Sequence, residues 1–395
     1  MYKKILTCID NSELSQTAGY FAIRFAKAFS SELVGIHVYA ARLHDDRFRQ
    51  LEGDLPEKYQ IESELERQRR IHDSLITKGL ELISNSYLDV FEQDCRTEGI
   101  SAKRCLLEGK NFYEIVKESV NGAYDLITIG AYGLGKVKRT LIGSVCERVA
   151  EQVLTDVLIV KESAPMKKLL VAVDGSPESF GALKTALELA IVFDASIDVV
   201  SCYDPFFHTV AFRSIADVLS EEAGKIFKFR EQEKLHDEII DKGMMNFYAR
   251  HLEAGRDMAL KDGIGVNTRL FDGKPYDRIL DYIEETKPSL LLLGRFGIHK
   301  CESMTMGSTT SNLLRLAPCN ILITSRGVNY QKLTAMAETE REKIFWTSDA
   351  RERVGRIPAF ARKMATAAIE DYARQNGFGE VNLTVLELAR EKMGM

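Results

Sequence analysis

No stretch of the 395-residue chain approaches the ~18 consecutive apolar residues of a membrane span, so no membrane partner is expected. Positive charge is not in excess: 53 Lys and Arg against 58 Asp and Glu leave a net charge of −5, which argues against a nucleic-acid partner. The seven cysteines (Cys8, Cys95, Cys105, Cys146, Cys202, Cys301 and Cys319) form no Cys-x-x-Cys pair, and no two histidines stand at zinc spacing. Several of these thiols fall in apolar runs, where a free cysteine acts as a small hydrophobe, so reduced core cysteines in a cytoplasmic protein are expected. The opening "MYKKILTCID" enters strand-like sequence with no long h-region, and no secretory signal is expected. With 45% hydrophobic and 28% charged residues the chain is not of the disordered class, and its length suits two or three domains, each able to bury a core.

What is present is a repeat. A shift of 164 residues aligns "KKILTCIDNS" (3–12) with "KKLLVAVDGS" (167–176), "LLEGK" (106–110) with "LFDGK" (270–274), and "VLIV" (157–160) with "ILIT" (321–324). One constant shift over that length means a duplicated domain with hardly an insertion between copies. The reading is a first domain at 1–163, a second at 164–327, a linker at 328–342 and a small domain at 343–395.

Each copy alternates strand and helix. "KILTCI" is a short, continuous apolar run, as buried parallel strands are. Ala18, Phe21, Ala22, Phe25, Ala26 and Phe29 follow at helical spacing. "ELVGIHVY", "SAKRCLL", "YDLITI" and "DVLIV" supply four more strands, with helices between. This order predicts an α/β fold: two tandem, doubly wound, parallel five-stranded sheets joined by right-handed crossovers. Between the second and third strands, Ile76, Leu80, Ile83, Tyr87 and Val90 carry a heptad-like stripe. Its echo is Ile240, Met244, Phe247, His251 and Ala254; a long helix packed on its own domain accounts for it ahead of a coiled coil.

The fourth strand of each copy runs into a glycine loop: "GAYGLGKVKRTLIGS" (130–144) and "GRFGIHKCESMTMGS" (294–308). Gly130, Gly133, Gly143 and Ser144 recur as Gly294, Gly297, Gly307 and Ser308, while much between them has drifted. For one copy, a simple turn would explain such glycines; matched spacing in two diverged copies points to a backbone that must approach a ligand. In an open parallel sheet the ligand sits at the carboxyl ends of the strands near the switch point. There Asp10 and Asp174 end the first strands. The glycines are expected to permit positive φ and to expose amides as an anion nest, with the next helix start favouring phosphate. A Walker loop is excluded, because Val137 stands where Ser or Thr should meet magnesium and His299 replaces the second glycine in the other copy.

Gly-x2-Gly-x9-Gly-Ser after an apolar strand, with Asp ending the first strand, resembles the universal stress protein family in its ATP-binding branch. The likeness covers residues 1–326. It implies an adenine nucleotide alpha hydrolase-like fold and ATP, with or without Mg2+, as the bound cofactor. By this resemblance Gly130, Gly133, Gly143 and Ser144 hold the phosphates of one nucleotide with Val145 beside them, and Asp10 and Val38 line its adenosine end. The second copy offers Asp174, Cys202, Gly294, Gly297, Gly307, Ser308 and Thr309. Lys136, Lys138 and Arg139 in one loop against His299 and Lys300 in the other imply unequal affinities. Members of the family also pair through the fifth strand, so "DVLIV" and "NILIT" are expected to pair within the chain, with a homodimer beyond that.

Residues 343–395 show no strand–helix alternation and are expected to be a small all-α domain. Pro358 breaks a first helix, and Ala361, Met364, Ala365, Ala368, Ile369, Tyr372 and Ala373 form an apolar stripe stopped by Gly377. Thr384 and Glu387 fit a capping box for the closing helix. Trp346, Ala350, "RIPAF" with Arg362, Glu370, "YAR" and Gly377 resemble the C-terminal domain of the light-independent protochlorophyllide reductase B subunit. No cluster-ligating cysteine lies there, and the reductase activity is not implied. Arg351, Arg353, Arg356, Arg362 and Lys363 make a basic patch, which reads either as a solvated face or as a surface suited to an acidic partner.

No Ser-His-Asp set, paired carboxylate or metal cluster can be placed beside the glycine loops, and the expected activity is nucleotide-dependent regulation in a stress response. The alternatives are slow ATP hydrolysis or phosphotransfer at one site, or a scaffold driven by the tail.

Overall fold

The computed structural model describes residues 1–205, 241–301, 303–328, 345–355 and 378–393, with isolated positions between them. Two compact units are present, Met1–Val328 and Asn329–Met395.

In the first unit, β1 (Lys4–Cys8), β2 (Glu32–Tyr39), β3 (Ala102–Glu108), β4 (Leu126–Gly130) and β5 (Asp156–Val160) alternate with helices. These are α1 (Glu13–Phe29), α2 (Ala41–Leu51), α3 (Glu62–Thr97), α4 (Asn111–Asn121) and α5 (Ser144–Gln152). The second half repeats the plan with β6 (Lys168–Ala172), α6 (Pro177–Phe193), β7 (Ser196–Tyr203), α7 (Asp241–Lys261), β8 (Asn267–Asp272), α8 (Pro275–Thr286), β9 (Leu290–Gly294), α9 (Ser308–Leu316) and β10 (Asn320–Thr324). The sheet order is β3-β2-β1-β4-β5-β10-β9-β6-β7-β8. Each five-strand half is parallel; the halves join through antiparallel pairing of β5 with β10, Leu158 opposite Leu322. Both strands are buried along their whole length, as strands covered on two faces should be. The internal pairing removes the apolar edge that either half would expose alone.

Local choices follow from sequence. Ser12 and Ser176 cap α1 and α6, their hydroxyls accepting from Ser15 N at 3.3 Å and Ser179 N at 3.2 Å. Ala18, Phe21, Ala22, Phe25 and Ala26 face the core. On α3 the expected stripe is corrected: Ile83 and Val90 are exposed, and the buried face is Ser84, Leu88, Phe91 and Cys95. Phe91 decides this, because its ring packs against two residues without side chains. A Cβ on Gly35 would come within 2.6 Å of the ring and one on Gly19 within 3.2 Å. In the echo, Phe247 is exposed while His251, Leu252 and Ala259 are buried, and Ile240 lies outside the described residues.

The second unit is helical, with one addition the sequence did not signal. β11 (Phe345–Trp346) and β12 (Glu380–Val381) pair in parallel beside α10 (Ser348–Gly355) and α11 (Leu383–Met393). Trp346, Ala350, Val354, Ile369, Ala373 and Val381 share its core, and Trp346 Nε1 donates to Glu370 Oε1 at 3.0 Å. α11 is capped by Asn382, whose Oδ1 accepts from Val385 N at 3.0 Å, rather than by a box on Thr384 and Glu387. The helix starts two residues earlier than that box requires. Pro358, Ala361, Met364, Gly377, Arg356, Lys363 and the linker from 329 to 342 lie outside the described residues.

Candidate functional site

Within each half, β1 and β4 (or β6 and β9) are neighbours at the point where the winding reverses, and their carboxyl ends open a crevice. In the first half Asp10 stands at its floor. Its Oδ1 accepts from Ser12 N at 3.0 Å and Ser12 Oγ at 2.6 Å, while its own N–H donates to Ser15 Oγ at 3.0 Å. The start of α1 thus fixes the carboxylate, and Oδ2 is left facing the glycine loop. A Cβ on Gly133 would lie 2.1 Å from that oxygen.

The loop closes on itself at its neck, where Gly143 N donates to Ala131 O at 2.7 Å. Gly143 is the N-cap of α5 and brings no side-chain acceptor, so the helix start directs unoccupied amides into the crevice. The cavity is about 440 Å³ and is lined by Asp10, Val38, Gly130, Gly133, Gly143, Ser144 and Val145, so the structure brings every residue singled out in this copy to one place.

The second half matches it closely. Asp174 Oδ1 accepts from Ser176 N at 3.0 Å and Oγ at 2.6 Å, and Asp174 N donates to Ser179 Oγ at 3.3 Å. Here Oδ2 also accepts from the loop amide of Ile298 at 2.9 Å. Gly307 N donates to Arg295 O at 2.9 Å, and Gly307 caps α9 without a side chain. Asp174, Cys202, Gly294, Gly297, Gly307, Ser308 and Thr309 line a cavity of about 210 Å³.

The reason for the glycines is corrected by the backbone. None of Gly130, Gly133, Gly143, Gly294, Gly297 or Gly307 has positive φ. All but Gly307 are needed for close approach: a Cβ on Gly294 would meet Ser179 N at 2.8 Å, and one on Gly297 would meet Asp174 Oδ2 at 2.5 Å. Positive φ is found at other glycines, among them Gly175 (φ +92) beside the ring of His251, and the matched pair Gly109 (φ +150) and Gly273 (φ +119).

The thiols in these crevices are neutral. Burial pushes Cys202 and Cys146 up to about 12. Burial also raises the Tyr248 phenol and lowers the His251 imidazole, against the pull of Asp174 on the latter.

The universal stress protein family model matches residues 1–161 and again 165–325. The chain belongs to the universal stress protein family. Among curated relatives, universal stress protein MJ0531 of Methanocaldococcus jannaschii is 25% identical over 165 residues, 40% of this chain and 82% of that one. YxiE of Bacillus subtilis is 25% identical over 161 residues, 41% of this chain and all of its own. A solved universal stress protein from Archaeoglobus fulgidus aligns over 82% of this chain and 98% of its own, with 21% identity and a TM-score of 0.51, a likeness of fold. Residues 346–390 match the model for the proto-chlorophyllide reductase 57 kD subunit. This universal stress protein therefore carries two family repeats and a C-terminal segment that matches a different family model.

One matched pair escaped the sequence reading. Lys136 Nζ lies 3.7 Å from the centroid of the Tyr132 ring, and Lys300 Nζ lies 4.2 Å from that of Phe296. These pairs are themselves 164 residues apart. The same shift that revealed the glycines contained them, but Tyr against Phe masked the aromatic identity.

Proposed function

We propose that this universal stress protein is a nucleotide-responsive regulatory protein that binds adenine nucleotide, ATP foremost, at the two glycine loops. The observation that carries the reading is the doubled cradle. Twice, a carboxylate locked by a helix cap presses on a glycine, and a glycine-capped helix start aims free amides across the same crevice. Amides and a helix dipole suit phosphate oxygens, and the absence of Cβ atoms lets them approach. In the first repeat, Gly130, Gly133, Gly143, Ser144 and Val145 would hold phosphates, with Asp10 and Val38 toward the adenosine. In the second, Asp174 and Cys202 take the adenosine end, and Gly294, Gly297, Gly307, Ser308 and Thr309 the phosphates.

Hydrolysis is slow or absent on this reading. Asp10 and Asp174 spend one carboxylate oxygen on a serine cap and turn the other to the loop, so neither is arranged to take a proton from water. Among the described residues no three His, Cys, Asp or Glu side chains gather to hold a metal, and magnesium would enter with the phosphates. The tail adds a protein contact, and the chain acts in the cytoplasm as a homodimer. The deciding experiment is to purify the full chain, denature it, and identify and count co-purifying nucleotide by mass. Adenine nucleotide at up to two per chain is expected; failure of well-folded protein to bind any in calorimetry sinks the reading.

A further inference from the structure

The two crevices differ in charge and in room. In the first loop Lys136, Lys138 and Arg139 are exposed, and among the described residues no carboxylate pairs with them. At the same three positions the second loop has Lys300, Glu302 and Ser303. The one cation at these positions is already engaged, since Lys300 Nζ lies 3.4 Å from Glu178 Oε1. Glu178 occupies the position of apolar Leu14, packed against the loop's first glycine, and its side chain is only 16% exposed. The loop's remaining cation, Arg295, is turned away from the crevice and fully buried, its counterpart being Ala131. So Lys136, which lines the first cavity, has no carboxylate beside it among the described residues, while Lys300, which lines the second, is paired with Glu178.

The volumes follow the same division. About 440 Å³ in the first repeat falls to about 210 Å³ in the second. A cause is visible on α7: Tyr248 lines the second cavity, where the first repeat has Ser84, which turns its hydroxyl to Leu80 O at 2.6 Å and stays out of the crevice. Met304 also replaces Thr140 at the phosphate end.

Resting on the nucleotide reading above, we infer that the two sites take adenine nucleotides of different phosphate number. The first binds the triphosphate and the second the monophosphate, with Glu178 and Tyr248 as the residues that set the difference. A triphosphate entering the second crevice finds the lysine that lines it already paired with Glu178, and it finds less space. A monophosphate needs only the amides at the start of α9, and its base gains the Tyr248 ring as a wall. The chain would then report the ratio of the two nucleotides rather than the level of one.

The test uses the full chain with ATP and AMP in calorimetry and in competition dialysis. 8-azido forms of each, with peptide mapping, place the label in one repeat or the other. Wild type should bind one ATP, labelled in the first repeat, and one AMP, labelled in the second, which equimolar ATP does not displace. Glu178→Gln combined with Tyr248→Ser should raise ATP affinity at the second site about ten-fold at low salt, with the first site unchanged. Glu178→Gln alone, which preserves shape, should give a smaller gain in the same direction. Two equivalent ATP sites in wild type, or an ATP-to-AMP preference unmoved by the substitutions, overturns the inference while leaving nucleotide binding intact. No binding of either nucleotide overturns the underlying reading as well.

Discussion

Arg295 and Ala150 meet across the two repeats: the guanidinium Nη1 donates to the Ala150 carbonyl at 2.6 Å, and Nη2 reaches Thr155 O at 3.3 Å. Ala150 lies in the last turn of α5, the helix whose other end faces the first crevice, while Arg295 belongs to the loop of the second. A cation here satisfies carbonyls that a helix end leaves open and opposes the negative end of its dipole. The reciprocal job on α9 falls to another residue, Lys161, whose Nζ donates to Leu314 O at 2.8 Å and Ala317 O at 2.6 Å. The two-fold likeness is closer one step away. Asp156 Oδ1 accepts from Ser325 N at 2.9 Å and its counterpart Asn320 Oδ1 accepts from Lys161 N at 2.8 Å. The joint keeps its symmetry in backbone acceptors and loses it in charge.

Arg295 should therefore be a principal support of the joint. Replacing it with Met keeps length but leaves Ala150 O and Thr155 O without their donor and Asp156 with less positive charge nearby. The expected loss is about 3 kcal/mol, as for a broken buried polar network, read as a lower urea midpoint by far-UV circular dichroism. A midpoint within error of wild type would show that the joint tolerates the loss.

Lys161 gives the joint a pH signature. Burial lowers its ammonium from 10.5 to about 8, outweighing the nearby thiols that favour the charge. In the window from about 8 to 10.5 the unfolded chain therefore holds a proton that the folded chain has released, and stability contributed by this group rises with pH. Buried thiols titrate in the opposite sense above pH 9, so the readout is a difference. Wild-type stability minus that of Lys161→Met should increase from pH 8 to pH 10, and a flat difference contradicts the assignment.

Gly133→Ala tests the close approach on which both crevices rest. The new methyl would sit 2.1 Å from Asp10 Oδ2, so the carboxylate or the loop must move. An overpacked contact of this sort costs about 1–3 kcal/mol, and adenine nucleotide should be lost from the first repeat only. Adding Asp10→Ala should recover most of the stability, because the colliding group is gone, without recovering nucleotide. Strictly additive stability losses in that cycle would mean the two residues do not meet.

The sequence made the architecture legible because each strand is a short apolar run and the repeat checks every assignment twice. "DVLIV" and "NILIT" were readable as strands from their apolarity, and as the joining pair from the family resemblance. What stayed hidden lacked a repeat partner or a period. Arg295 aligns with Ala131, so nothing marked it as a residue spanning the joint, and only the fold brings it to α5. The α3 stripe was misplaced by reading a heptad through Ile83 and Val90. The buried face is set by Phe91 seated on Gly35 and Gly19, a contact between distant segments that no local spacing reveals. Positive φ was likewise the wrong reason for the right glycines, since a missing Cβ serves close packing as well as unusual backbone.

The tail can be followed by itself because Trp346 is the only tryptophan in the chain. It is buried, and its indole N–H is held by Glu370, so its emission reports whether the small core is intact. A unit of this size buries little apolar area and its own stability should be low. Under urea, Trp emission should shift to the red at a lower concentration than the loss of far-UV signal, which the ten-stranded body dominates. Glu370→Ala should move the first transition further down and leave the second in place. Truncation after Arg341 should then remove the fluorescence transition, keep both nucleotide isotherms, and alter oligomeric state by light scattering or partner capture through Arg351, Arg353 and Arg362. Coincident transitions in the full chain would mean instead that the tail unfolds only with the body, and loss of nucleotide on truncation would make it part of a site.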